Sequence, residues 1–212
     1  MSESLNHLYS IKEEKLNVIS HGLGFVLSVI ALPFLILKSF NFDGFWKPTS
    51  FIIYGFSMVV LYAASTFYHA AKNPKQRRRL NIFDHAAIYV LIAGSYSPFC
   101  LVGLNSDLGW YMFLFVWIFA FTGIILKLFF TGRFDKLSTA MYLLMGWQVM
   151  FFIKPLMESL TIEAFFYLVA GGIFYSVGAI LYSIKKIPYN HFIFHIFVLL
   201  GSLSHFIAIY NL

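Results

Sequence analysis

The stretch NHFIFHIFVLLGSLSHFIAIY, residues 190–210, decides how this chain folds. It contains no Asp, Glu, Lys or Arg and is long enough to cross a bilayer as a helix, which needs about 20 apolar residues. Yet it opens on two histidines four apart, His191 and His195, and carries a third at His205. An imidazole in hydrocarbon is costly unless it faces a partner, so each of these side chains requires a reason. The candidates are a metal, a proton path, or the water interface.

The rest of the chain places this stretch in context. Of its 212 residues 60% are hydrophobic and only 11% charged, far below the roughly 25% charged of soluble domains. Seven segments approach or exceed membrane length, at about 18–37, 50–71, 83–104, 109–127, 138–157, 163–184 and 190–210, separated by short polar breaks. The expected fold is therefore all-α, a polytopic membrane protein with seven transmembrane helices. A short polar segment, 1–17, with Glu3, Glu13 and Glu14, precedes a single membrane domain, 18–212. No A-x-A-like site follows a short apolar core, so the first span is expected to be retained. The single cysteine, Cys100, falls inside an apolar run and excludes an internal disulfide.

Basic residues orient the spans. With the N-terminus cytoplasmic, the inner segments hold Lys12, Lys15, Lys72, Lys75, Arg77, Arg78, Arg79, Lys127, Arg133, Lys136, Lys185 and Lys186. The outer ones hold only Lys38, Lys47 and Lys154, which completes the 15. This bias predicts N-in and C-out, in the cell's inner (plasma) membrane. Trp46 and Trp110 then begin spans two and four at the outer interface, where amphipathic rings collect. The net charge of +6 is thus explained by topology and attraction to anionic lipid, and no nucleic-acid partner is expected.

Under that topology His21, Ser65, His69, Asp84, His85, His191 and His195 all lie near the cytoplasmic ends of their spans. At about 100° per residue, His191, His195, Ser202 and His205 share an arc of roughly 80° on the last helix. Ser65 and His69 share a face of the second. Two imidazoles at i and i+4 can both reach one metal. A third, from His69 at the same depth, plus water would give the open tetrahedral geometry of catalytic zinc. Asp84 is either a fourth ligand or the acceptor for a proton from metal-activated water. The second role is preferred, since position 192 is Phe and the motif lacks the acidic residue of HExxH. His21 and His85 read as interfacial or hydrogen-bonded structural residues. His205, about 15 Å deeper than His195 by helix rise, is too far to join the same ion. Gly171, Gly172 and Ser176 read as close-packing positions.

These same residues carry a family resemblance. STFYH (65–69), DHAAIYVLIAGSYSP (84–98), HFIFHIFVLLGSLSHF (191–206) and NVISHGLG (17–24) closely resemble segments of the hemolysin III family. That family is the bacterial branch of the progestin and adipokine receptor superfamily. The resemblance implies a seven-helix fold with a cytoplasm-facing zinc site. Zinc ligands would fall on His69, His191 and His195, with the family aspartate at Asp84 and the serine at Ser65. It also implies kinship with membrane enzymes thought to hydrolyse lipid amides, among them alkaline ceramidases.

Three functions remain in play. The first is a zinc-dependent lipid amide or ester hydrolase, ceramidase-like, or a lipid-linked membrane-homeostasis protein on the same site. Asp84 and Ser65 would be its catalytic residues and a membrane lipid its substrate or ligand. The second is a non-catalytic, zinc-dependent sensor or receptor-like protein, in which the ion only ties spans together. Little extramembrane chain is expected to receive a protein hormone. The third is a proton or ion transporter with His195 and His205 as a relay, which the lack of mid-membrane acids and of a repeat disfavours.

Overall fold

The computed structural model describes residues 9–130 and 135–212. Residues 1–8, with Glu3, and 131–134, with Arg133, lie outside the described residues, as does the side chain of Lys136. All regular structure among the described residues is helical. The elements are α1 (Ile11–Ser39), α2 (Trp46–Ala70), α3 (Pro74–Pro98), α4 (Asp107–Phe130), α5 (Asp135–Gly146), α6 (Ile153–Ser159), α7 (Ile162–Ser183) and α8 (Asn190–Tyr210). α3 continues as a π-helical segment, Phe99–Leu104, and a 3₁₀ segment, Trp147–Phe152, joins α5 to α6. With these joins, seven helical segments among the described residues are long and apolar enough to span a membrane. The chain is a multi-pass membrane protein.

Two helices start well before the apolar runs that announce them. α1 begins at Ile11 because Ser10 caps it, its hydroxyl accepting from the Glu13 N–H at 3.1 Å. Glu13 and Glu14 then complement the positive helix end. The polar segment expected to run to residue 17 is therefore helical from Ile11 onward, and Glu13, Glu14 and Asn17 are buried. α3 begins at Pro74 rather than near 83. Asn73 caps it, accepting from Lys75 and Gln76 N–H at 3.0 and 3.3 Å, with Pro in the first helical position. The basic run K75-Q-R-R-R79 is thus the first turn and a half of a spanning helix.

Neighbours in sequence pack together from α1 to α4, α7 pairs with α8, and α8 closes back on α1. α3 sits centrally: 61% of its apolar window is buried, against 17% for the span Leu137–Ser159 at the periphery. One core cluster joins α1, α2, α3 and α8 around Leu35, Tyr54, Tyr62 and Val198, and a second joins α3, α4 and α5 around Tyr89, Val116 and Met145. Close approach relies on small residues, as expected where lipid provides no hydrophobic drive between helices. A Cβ at Gly24 would collide with Tyr62 and Leu199. Large apolar side chains such as Leu27, Phe34, Ile118 and Phe166 point outward, where hydrocarbon would receive them.

The fifth span was expected to be continuous and is not. The Tyr96 hydroxyl of α3 inserts into its ladder, donating to the Gly146 carbonyl at 2.7 Å and accepting from Val149 N–H at 2.8 Å. A side chain wedged between those groups displaces the ordinary i to i−4 bond and tightens the turn to 3₁₀. The Tyr96→Phe variant should lose about 1–3 kcal/mol of stability, the cost of stranding an interior N–H and carbonyl, in thermal unfolding of the detergent-solubilised protein.

Candidate metal centre

His69 stands in the last turn of α2, just before the chain turns extended at Ala71. His191 and His195 occupy the first two turns of α8. Their entry is set by Tyr189, held in the left-handed region at φ 57°. Asn190 assists: its amide donates to the Tyr182 carbonyl at 2.8 Å, so the last turn of α7 is fixed to the first turn of α8.

The three imidazoles, all buried, converge. Nε2 of His191 lies 3.0 Å from Nε2 of His69 and 3.0 Å from Nε2 of His195. Each histidine offers one nitrogen to a group lying within 4.8 Å, an arrangement that could hold a metal ion. For comparison, ligand nitrogens around tetrahedral zinc, with Zn–N near 2.0–2.1 Å, sit about 3.3 Å apart.

The outward-facing nitrogens decide whether these rings suit a metal. Nδ1 of His69 lies 2.7 Å from Glu14 Oε2. Nδ1 of His195 lies 3.1 Å from Ser20 Oγ, whose own proton is committed to the Asn17 carbonyl at 3.1 Å. The Glu14 carboxylate accepts, so the proton of His69 sits on Nδ1 and its Nε2 presents a bare lone pair; with its own proton on Asn17, Ser20 Oγ is free to accept from His195 in the same way. Nδ1 of His191 meets the Tyr9 hydroxyl at 3.1 Å, and the Tyr9 ring stacks on the imidazole with centroids 4.6 Å apart. Burial pushes the Tyr9 phenol pKa up, so this partner stays neutral. Facing lone pairs at 3.0 Å repel each other unless a cation or proton lies between them. The donor set fits a metal with an imidazole preference.

Asp84 and Ser65 belong to the same region but not to the triad. Both are buried, and both line a cavity of about 410 Å³ together with His191 and His195. Asp84 is absent from the group of converging donors; its near neighbour is His85, whose Nδ1 lies 3.8 Å from Oδ2. The Ser65 hydroxyl has no hydrogen-bond partner among the described residues. His85 donates to the Asn81 carbonyl at 2.8 Å, a structural contact. His205 lies at the far end of the cavity, bonded through Nε2 to the Leu168 carbonyl at 3.2 Å and apart from the triad. Gly171 is small because a Cβ there would meet the His205 ring, whereas Gly172 and Ser176 line the cavity.

His21, read from the sequence as an interfacial or hydrogen-bonded structural residue, instead joins the site, and Glu14, Ser20 and Tyr9 were not singled out at all. His21 stacks on His195 at 3.4 Å between centroids and 10° between planes, and neither of its nitrogens has a partner among the described residues. Glu14, Ser20 and Tyr9 supply the outer contacts of the triad. The signal was present in α1 as Glu14, Asn17 and His21, spaced three and four apart on one buried face.

A bundle of seven spans with three buried imidazoles clustered where α1, α2 and α8 meet defines a multi-pass membrane protein with a candidate metal centre. Residues 9–206 match the family described as Haemolysin-III related, and the chain belongs to that family. It is 48% identical over 202 residues to the Hemolysin-3 homolog of Bacillus subtilis (strain 168), covering 95% of each chain. It is 45% identical over 210 residues to Hemolysin-3 of Bacillus cereus, covering 99% of this chain and 96% of the relative. More distant similarity reaches the human Monocyte to macrophage differentiation factor, 26% over 175 residues, or 80% of this chain and 72% of that one.

Purified protein should carry about one divalent metal ion per chain, falling to roughly a tenth or less in His69→Ala, His191→Ala or His195→Ala. His205→Ala should keep its metal, as measured by elemental analysis after gel filtration.

Proposed function

We propose that this protein is a zinc-dependent hydrolase of lipid amides or esters, working at the cytoplasmic face of the plasma membrane. The observation that carries this reading is the cavity: an apolar chamber of about 410 Å³ that displays His191, His195, Asp84 and Ser65 at one end. Its walls include Met150 and Val169, 53% and 38% exposed on the outer surface of the bundle, so a lipid chain can enter sideways between α6's approach and α7. Imidazole donors in a three-ligand set favour zinc with an open position.

Bound zinc would supply Lewis acidity toward a carbonyl and a more acidic water. The remaining work falls to the protein. The cavity aligns the acyl chain so that its carbonyl lies at the polar end. Asp84 accepts a proton as water oxygen bonds to the carbonyl carbon, and returns it to the departing amine or alcohol as the C–N or C–O bond breaks. Ser65, whose hydroxyl has no acceptor among the described residues, donates to the carbonyl oxygen as negative charge develops there. The excess of Lys and Arg in alternate loops supports N-in and C-out, which puts the triad on the cytoplasmic side.

Metal-loaded protein in lipid nanodiscs should release fatty acid from a panel of N-acyl lipids and lysolipids, and lose that activity to a chelator. Asp84→Asn should lower kcat by roughly 10²-fold or more while retaining metal, and Ser65→Ala by roughly 10²–10³-fold. Fully loaded protein that turns over neither amide nor ester would point instead to a non-catalytic sensor. Alkaline phosphatase fused after Leu212 should be active, and a fusion in the loop after α2 inactive; the reverse pattern would invert the topology.

A further inference from the structure

The outer contacts of the three imidazoles are unequal. His195 and His191 lean on hydroxyls, Ser20 and Tyr9. Among the described residues only His69 is backed by a carboxylate, with Glu14 Oε2 2.7 Å from its Nδ1. The other Glu14 oxygen pairs with Arg77 of α3. Arg77 also reaches back to α2, donating to the His69 and Ala71 carbonyls at 3.5 and 3.4 Å and lying 4.8 Å above the Tyr68 ring. The Glu14 and Arg77 side chains are 11% and 13% exposed, so the pair is largely withdrawn from water.

We propose that Glu14 is a positioning residue for the metal centre, acting through His69 Nδ1, and that Arg77 holds the Glu14 carboxylate in place. The inference rests on the reading of the triad as a metal centre. An ionised carboxylate that accepts from Nδ1 fixes the ring's tautomer and angle and makes Nε2 a stronger donor, an outer contact typically worth 10–100-fold in metal affinity. A carboxylate so buried needs a countercharge, and Arg77 provides it while capping the carbonyls at the end of α2. The two residues thus lock three helices around one ligand. They also give a reason for α1 to extend to Ile11: its first turns contribute no ligand but carry the group that orients one.

The rival explanation is an ion pair that only fastens α1 to α2 and α3. Full-length protein in nanodiscs separates the two. Zinc affinity is measured by competition with a chromophoric chelator, the visible absorption of the cobalt(II) form reports ligand geometry, and thermal unfolding of the metal-free protein reports packing. Glu14→Gln should bind zinc 10–100-fold more weakly, with a shifted cobalt spectrum, and Glu14→Asp should recover part of the loss. Since Glu14→Gln strands Arg77, the double variant Glu14→Gln/Arg77→Gln removes both charges together and should show the same weakening with metal-free stability close to wild type. Affinity within about threefold of wild type in both variants would overturn the proposal, as would lower metal-free stability with an unchanged cobalt spectrum. Wild-type protein that binds no metal would overturn the metal reading itself, and this inference with it.

Discussion

Three imidazoles withdrawn from water must each satisfy two nitrogens, and almost everything at this end of the bundle follows from how they do it. The outer nitrogens of His69 and His195 are held by Glu14 and Ser20, and the carboxylate takes the His69 proton, which turns inner nitrogens toward His191 at 3.0 Å. Such a cluster is unstable without a central cation or proton. α1 therefore cannot be a simple membrane anchor. It provides the acceptors for two of the rings, and His21, one turn beyond Asn17, stacks on a third face of the site. Removing α1 from its groove would expose or strand every one of these groups.

The site and the cavity divide the bundle into two regimes. At the end where α1 begins, helices are held by hydrogen bonds and charge: Glu14 with Arg77, Asn190 with the end of α7, Tyr9 over His191. Deeper in, a hydroxyl cluster of Tyr62, Tyr175 and Ser202, with contacts of 2.7 and 2.9 Å, closes the interior beside an apolar chamber. A polar pole thus adjoins an apolar chamber, the combination of convergent polar groups and apolar walls typical of small-molecule sites. The broken fifth span forms the outer wall of that chamber. It is also the least buried span among the described residues, at 17% of its apolar window.

Much of this was legible in the chain itself. HFIFH put two imidazoles on one face, STFYH supplied a third at equal depth, and the distribution of Lys and Arg brought these ends to one side. The structure brings His69, His191 and His195 together accordingly, with Asp84 and Ser65 lining the adjoining cavity. What periodicity could not show was the second layer. Glu13, Glu14 and the 75–79 basic run look like loop because hydropathy scores them so. Glu14 is buried only because its partners lie far apart in sequence, His69 at 55 residues and Arg77 at 63. The split in the fifth span was hidden for the same reason, since its cause is the hydroxyl of Tyr96 about fifty residues away.

The central claim is that Nε2 of His69, His191 and His195 together ligate one metal ion. X-ray absorption at the zinc edge of purified protein addresses it directly. The account expects three imidazole nitrogens at about 2.0–2.1 Å and one light-atom ligand completing a tetrahedron. Six-coordinate oxygen ligation, or the same absorption spectrum retained in a His191→Ala variant, would contradict it.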